Sequence, residues 1–438
     1  MDPNVSLELR KLLTFKPKED DKYQSKQASA PPIHFWETDA KELRIPYKLA
    51  SALFQCFPNW DREFPTVDIK FKTDKLRKEQ VEVIEEAWKQ LEVHTTTTIV
   101  LPPGAGKTVI GGCLTSRTKL LTAVLVYRQS LTLQWHKTFT DFSDASTWIV
   151  GNQSPDKIEV IICMDTRWHL IDSSIRKQVG CLIIDEAHGF CTETRAQAIL
   201  AFSPRYIILE TATPHREDGL YPMMDALVGQ HRVERMNYKP FSITKINTGI
   251  VATREATTRG PKWSVLIQSI LYHPSRNAYI LNLVSSNPEK KIGIFTSEVD
   301  HAKLLTQAII DSNDQAVCLA GNKKKYNDAR VKVGTVSKIG TGWDEATSCE
   351  DFSGQPIELA IVVTSFKDTT LITQVLGRAF RCNDPYIIWL VDNDPIFRRH
   401  WNNVDKWANS LETEVTTSTI TLTTTVEMDD GKEEEMDE

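Results

Sequence analysis

The sequence predicts an α/β protein built on two successive parallel sheets, each flanked by helices. Three observations carry that prediction. The 438 residues are too many for one core and comfortable for two α/β domains with extensions. Short apolar, β-branched runs alternate with helical patterns, as they do in parallel strands joined by crossover helices. This alternating series occurs twice, with a polar, Thr-rich stretch between the two occurrences.

Residues 1–70 read as an N-terminal extension: a short helix near residues 7–15, a flexible stretch, then a segment rich in aromatics. Phe35, Trp36, Tyr47, Phe54, Phe57, Trp60 and Phe64 are enough to pack against a neighbouring domain. The first domain, 71–236, opens on an amphipathic helix marked by Val81, Ile84, Trp88 and Leu91. Its candidate strands are 97–101, 123–127, 147–150, 159–163, 181–184 and 206–209. Residues 237–262 read as the interdomain linker. The second domain, 263–410, has candidate strands at 292–295, 316–319, 331–336, 357–363 and 386–391. Residues 411–438 read as a Thr-rich, acidic, disordered tail, although the alternating apolar residues within 415–426 leave room for one edge strand.

Hydrophobic content of 41% and charged content of 25% are those of an ordinary globular protein. No apolar run reaches the roughly 18 residues of a membrane span, and no signal-peptide pattern opens the chain, so an intracellular protein is expected, cytoplasmic or nuclear. The eight cysteines are scattered without a C-x-x-C pair, which suggests reduced thiols and no zinc site. The net charge of −6 neither supports nor excludes a nucleic-acid partner, because the last twelve residues hold eight acids and one lysine and leave the rest near neutrality.

The chemistry is concentrated in three places. The first lies between a strand and a helix, at Leu101-Pro102-Pro103-Gly104-Ala105-Gly106-Lys107-Thr108. The glycines of such a loop let backbone N–H groups turn toward phosphate oxygens, and the helix N-terminus adds its positive dipole end. Lys107 would reach the β- and γ-phosphates, and the Thr108 hydroxyl would ligate Mg²⁺. An ordinary P-loop has Gly where Leu101 stands, so only the Gly-x-Gly-Lys-Thr half matches. The second place is the apolar strand ending in Asp185-Glu186-Ala187-His188. Asp185 would hold Mg²⁺ through water, and Glu186 would position and deprotonate the attacking water. An acidic pair alone is commonly a helix-terminal charge cluster; with Gly-Lys-Thr upstream it reads as hydrolytic. The third is Gln374-Val-Leu-Gly-Arg378-Ala-Phe-Arg381, whose polar members share one helical face. Arginines there would stabilise charge at the γ-phosphate; the bland alternative is a solvated basic face.

In this order the motifs resemble those of the superfamily 2 helicases, over about 70% of the chain. That resemblance implies two tandem RecA-like domains with an ATP-binding cleft between them, ATP and Mg²⁺ as cofactors, and a nucleic-acid partner, DNA favoured over RNA. It assigns Gln80 to adenine recognition and His188, Thr211, Thr213 and Gln374 to coupling hydrolysis to movement. It adds Gly342 and Asp344 to the nucleotide set. The stretch 213–219 and the Ser-Lys-Ile-Gly run from Ser337 are similar to the XPB-like branch, which also has short relatives in large DNA viruses and phages. Protein partners in transcription, repair or replication follow from that branch, and a monomer is expected.

The family pattern also assigns backbone-phosphate contact to Arg128, Gln134, Thr166, Arg167, Ser297, Thr335, Ser337 and Lys338. Such contacts hold a strand without reading its bases, as a motor that steps along any sequence needs. Each of these residues, taken singly, is as well explained by ordinary surface exposure or helix capping. Trp135 reads as a core residue. Three alternatives remain open at this point: a duplex translocase or annealing motor, an RNA helicase, and a nucleotide-gated binding protein without turnover.

Overall fold

The structure, a computed structural model, describes residues 3–17, 31–38, 43–54, 63–214, 218–235, 241–257, 260–320, 325–339, 345–349, 351–367, 369–377, 382, 384–411, 413–420 and 422. It divides into two compact units, Met1–Tyr238 with Gly342–Ser348, and Lys239–Thr341 with Cys349–Glu438.

In the first unit, helix α1 (Lys78–His94) starts where the Arg77 backbone N–H donates to the Gln80 side chain. It buries Val83, Ile84, Ala87 and Leu91, whereas Val81, counted in the predicted stripe, faces outward. There follow β1 (Thr96–Val100), α2 (Lys107–Thr118), β2 (Thr122–Val126), α3 (Gln129–Phe142), β3 (Thr147–Ile149) and β4 (Val160–Met164). The unit continues with β5 (Cys181–Asp185), α4 (Glu193–Leu200), β6 (Tyr206–Thr211), α5 (Pro222–Val228) and β7 (Arg232–Glu234). The strands make one seven-stranded sheet in the order β7-β1-β6-β5-β2-β4-β3, parallel at every pairing.

Every residue of β1, β2 and β5 is buried, which is why these strands read as unbroken runs rather than as alternation. Alternate residues of β2 enter two cores. Ala123 and Leu125 pack with Ile161, Ile184 and Phe190, while Val124 and Val126 pack with Ile110, Trp135 and Phe139. The sheet is therefore covered on both faces, and its carboxyl edge is left to carry loops.

The second unit repeats the plan with β8 (Ser242–Val251), α6 (Trp263–Leu271), α7 (Pro274–Ser285), β9 (Ile292–Thr296), α8 (Val299–Asp311) and β10 (Ala316–Leu319). It ends with β11 (Val331–Thr335), β12 (Leu359–Val362), α9 (Thr369–Leu376), β13 (Tyr386–Asn393), α10 (Pro395–Asn409) and β14 (Glu414–Thr419). Its sheet runs β10-β11-β9-β12-β13-β8-β14, again parallel throughout.

Two expectations about the borders change. The stretch 237–262, read as a linker, contains β8, a ten-residue strand of the second sheet. Its polar residues misled the reading because they bond across strands: Thr244 Oγ1 lies 2.9 Å from Tyr386 Oη and 2.7 Å from Thr416 Oγ1, and Thr248 donates to Asp392 Oδ1 at 2.6 Å. The tail expectation fails at 414–419, which pair with β8 as the edge strand β14; residues 423–438 lie outside the described residues. The N-terminal segment is part of the first unit's packing, with Phe35 and Leu13 fully buried and Ile69 in the core beside Ile84. No helix among the described residues is long and apolar enough to cross a membrane.

Candidate functional site

The parallel order sets the site. Reading inward from β7, the carboxyl ends of β1, β6, β5, β2 and β4 deliver in turn the 101–108 loop, Thr211, Asp185–Glu186, Tyr127–Arg128 and Asp165–Arg167. One sheet edge thus brings the phosphate-site motifs together with the first unit's strand-contact candidates.

Gly104 and Gly106 take φ values of +82° and +86°, which a side chain resists, and they turn the loop into α2. A Cβ on Gly106 would lie 2.2 Å from Gln80 Nε2, so the loop rests on that amide. Gln80 donates through Nε2 to the Ala105 carbonyl at 3.3 Å and accepts the Arg77 N–H through Oε1 at 3.0 Å. Both atoms of the expected adenine-reading amide are therefore engaged with the chain itself. Lys107 Nζ donates to the Leu101 carbonyl at 3.0 Å, and the Leu101 N–H donates to Thr211 O at 3.1 Å, which joins the loop to the end of β6. Pro102 and Pro103 carry the chain between those anchors.

Asp185 is 3% exposed and accepts two hydrogen bonds, from Trp135 Nε1 at 2.8 Å and from the Glu186 N–H at 2.8 Å. Burial first, then the Glu186 charge, pushes its carboxyl up to about 6, while Trp135 and Lys107 act in the opposite direction. Glu186 occupies the left-handed region at φ +51°, strain of a kind that collects at functional sites. Its Oε2 is buried without a hydrogen-bond partner among the described residues, His188 Nδ1 lying 3.5 Å away. Glu210 on β6 is fully buried with no hydrogen-bond partner to either oxygen among the described residues, and burial raises its carboxyl well above the ordinary range. Gly111 makes room for it, since a Cβ there would meet Glu210 Oε1 at 2.5 Å.

His188 Nδ1 lies 3.0 Å from Thr211 Oγ1, and that hydroxyl donates to the Thr213 carbonyl at 3.0 Å, so three of the four expected coupling residues form one contact. The Gln374 side chain, Gly342, Asp344, Arg378 and Arg381 lie outside the described residues.

The strand-contact candidates divide. Gln134 belongs to the phosphate site: its Nε2 donates to Thr108 Oγ1 at 3.0 Å. Thr166 is exposed after β4, and Arg167 donates to the Val150 carbonyl at 3.2 Å. Arg128 is partly buried, its guanidinium 5.4 Å from the Tyr127 ring centroid. In the second unit, β9 and β11 pair through Thr296 and Thr335, so Ser297, Thr335, Ser337 and Lys338 gather at one edge. Ser297 and Ser337 are exposed there, and Thr335 is buried with its Oγ1 3.3 Å from Ser337 Oγ.

Two residues of the site escaped the sequence reading. Glu210 had a signal, an acid in the run Tyr-Ile-Ile-Leu-Glu-Thr, where a central strand is otherwise apolar. The Trp135 bond to Asp185 had none, because the two are 50 residues apart.

Hard oxygen donors at Thr108 and Asp185, two buried carboxyl groups, the half-buried Glu186 and one lysine are a set that fits a divalent cation. A parallel sheet with a glycine-turned phosphate loop on one strand and an acid pair two strands away defines a P-loop ATPase.

Comparison with known proteins places it further. Residues 73–216 match the family model described as "Type III restriction enzyme, res subunit". The chain is 28% identical over 339 residues to "Putative helicase 055L" of Frog virus 3, covering 75% of this chain and 76% of that one. It is 29% identical over 168 residues to "DNA 3'-5' translocase XPB2" of Sulfurisphaera tokodaii, covering 38% and 36%. The fold is similar to that of S. cerevisiae Dbp5 bound to RNA and ADP BeF3, at 12% identity and a TM-score of 0.56, covering 80% of this chain and 96% of that one. These matches make the chain similar to the superfamily 2 helicases, a family of ATP-hydrolysing nucleic-acid motors.

Proposed function

We propose that this protein is a motor that hydrolyses ATP at the carboxyl edge of its first sheet and moves along DNA. The observation that carries the reading is the shared edge: the phosphate loop, the acid pair and the candidate strand contacts Arg128 and Thr166 all follow strands of one parallel sheet. The name of the Sulfurisphaera relative, a DNA translocase, favours DNA over RNA.

In this mechanism Lys107 and the loop N–H groups hold the β- and γ-phosphates. Magnesium, held by Thr108 and through water by Asp185, would neutralise phosphate charge when bound. Glu186 orients the attacking water and takes its proton. Trp135 and the Glu186 N–H keep the Asp185 carboxylate aimed. His188 and Thr211 link the Glu186 loop to the end of β6. Gly342 and Asp344 complete the nucleotide contacts. Arg378 and Arg381 then stabilise charge at the γ-phosphate, Gln374 couples that state to movement, and the nucleotide cycle advances a strand held by Ser297, Thr335, Ser337 and Lys338.

The test is phosphate release with single-stranded, duplex and forked DNA and with matching RNA. Stimulation by DNA is expected. Stimulation by RNA alone replaces DNA with RNA, duplex-only stimulation points to a translocase or annealing motor, and no turnover under any condition leaves a nucleotide-gated binding protein.

A further inference from the structure

Several chain segments converge on the ring of Tyr127, the residue after β2. The Arg195 guanidinium, from α4, lies 4.7 Å from the ring centroid, and Phe190 meets the ring edge-on at 6.2 Å. Gly189 lies so close that a Cβ there would sit 2.7 Å from Tyr127 Cε1. Arg195 is fixed at two more points. Its Nε donates to Asp165 Oδ2 at 2.6 Å, and its Nη1 donates to the Gly189 carbonyl at 2.5 Å. Asp165 is 4% exposed and donates its own N–H to Val126 O at 2.8 Å. Gly189 in turn donates its N–H to the Glu186 carbonyl at 2.7 Å.

One guanidinium therefore joins the loop after β2, the loop after β4 and the turn that holds Glu186. The first two loops carry Arg128, Thr166 and Arg167; the third carries the water-activating acid. The contacts run without a gap from Asp165 through Arg195 and Gly189 to the backbone of Glu186, which sits in the left-handed region. The arrangement needs arginine: a planar fork serves the carboxylate and the carbonyl at once while its face lies on the ring, and the single ammonium of lysine cannot do all three.

We infer that Arg195 is a positioning residue through which a strand bound at the loops after β2 and β4 sets Glu186 for hydrolysis. This rests on the motor reading above and names its coupling element within the first unit. Among the described residues Arg195 bonds neither the phosphate loop nor the Asp185 and Glu186 side chains, so its effect falls on stimulation rather than on ATP binding.

The experiment measures ATP hydrolysis by the full chain, with and without saturating oligothymidylate or duplex DNA, for the wild type, Arg195→Ala, Arg195→Lys and Asp165→Asn. Arg195→Ala is expected to lower the nucleic-acid-stimulated kcat by about tenfold while the unstimulated kcat and the KM for ATP stay within about twofold. Asp165→Asn moves the same way, and the double variant is non-additive because both act through one contact. If Arg195→Ala does not fold, Arg195→Lys, which keeps charge and most of the volume, is read instead and loses about threefold or more of the stimulation. Equal loss of stimulated and unstimulated rates assigns Arg195 an ordinary structural role and overturns the inference. Undiminished stimulation in a folded Arg195→Ala chain does the same and leaves the motor reading intact. A wild-type chain that hydrolyses ATP without response to any nucleic acid overturns that reading and the inference with it.

Discussion

At the carboxyl edge of the first sheet, Glu186 Oε2 and both Glu210 carboxylate oxygens are buried without a close hydrogen bond among the described residues, His188 Nδ1 lying 3.5 Å from Glu186 Oε2. At the same edge of the second sheet, Asp392 and Asp394 are each held by an arginine: Arg276 Nε donates to Asp392 Oδ1 at 3.0 Å, and Arg254 Nε to Asp394 Oδ2 at 2.6 Å. Asp392 also takes the Thr248 hydroxyl, and Asp394 caps α10 through the Ile396 N–H. His301 nearby bonds Thr296 Oγ1 and Asn277 Oδ1. The strand pattern is shared and the carboxylates are used differently, although Arg276 Nη1 and Nη2 at the second edge are themselves buried without a partner among the described residues. Buried carboxylates without donors are costly, so the first edge stores a demand for a cation and phosphate-binding groups. The second edge spends the same residue types on fixing its own strands.

The largest test of that contrast removes the lysine beside the acids. Lys107→Ala should cut hydrolysis by about 10³-fold or more, because nothing else in the loop supplies positive charge to the β- and γ-phosphates. Glu186→Gln should lose hydrolysis to a similar extent yet keep ATP binding, measured with a fluorescent ATP analogue. Equal loss of binding in both variants would contradict their separate roles.

A second test asks what the second unit adds to the chemistry. Arg378→Ala is expected to leave ATP affinity nearly unchanged and to lower the nucleic-acid-stimulated rate by about 10³-fold, the worth of an arginine at a transferring phosphoryl group. Arg381→Ala should behave similarly, and the pair should be non-additive. A stimulated rate unchanged in both variants would make the two arginines a surface patch.

The third test concerns the second edge. Burial, with Arg276 beside it, holds the His301 imidazole down near 3 against an ordinary value of 6.5. A depressed histidine leaves the unfolded chain binding the extra proton between those two values, so stability is full above 6.5 and falls as pH drops toward 3. At pH 4.5 the loss is about 2–3 kcal/mol. His301→Asn should flatten that acid limb in urea titrations followed by tryptophan fluorescence. An unchanged limb would remove His301 as its source.

Much of this was legible in the sequence. Most strands of both sheets appear in it because fully buried parallel strands leave apolar runs, as Cys-Leu-Ile-Ile does before Asp185. The phosphate loop was legible because only glycine tolerates its φ values. What was hidden follows from bonds across long separations. β8 looked like a linker because Thr244 and Thr248 are polar, and only the fold supplies Tyr386, Thr416 and Asp392 as their partners. Gln134 read as a strand contact and proves to bond Thr108, since α3 follows β2 on the same sheet face as α2. Glu210 was tolerable only because Gly111, 99 residues earlier in the chain, lacks a side chain.

The smallest expected effect sharpens the contrast most, because it changes one hydrogen bond and little else. Trp135 is fully buried, and its indole N–H is the only side-chain donor to Asp185 among the described residues. Trp135→Phe keeps most of the aromatic volume and deletes that donor. If Asp185 serves a metal, the loss acts on the aim and basicity of a ligand, an effect worth roughly tenfold or more in metal affinity. The Mg²⁺ concentration for half-maximal hydrolysis should therefore rise by about tenfold, and saturating Mg²⁺ should restore most of kcat. A purely structural tryptophan predicts something else: a lower thermal midpoint from imperfect packing, with kcat reduced at every Mg²⁺ concentration and no rescue. The second result would place Asp185 among the merely buried acids, and the two sheet edges would then differ less than their hydrogen bonds indicate.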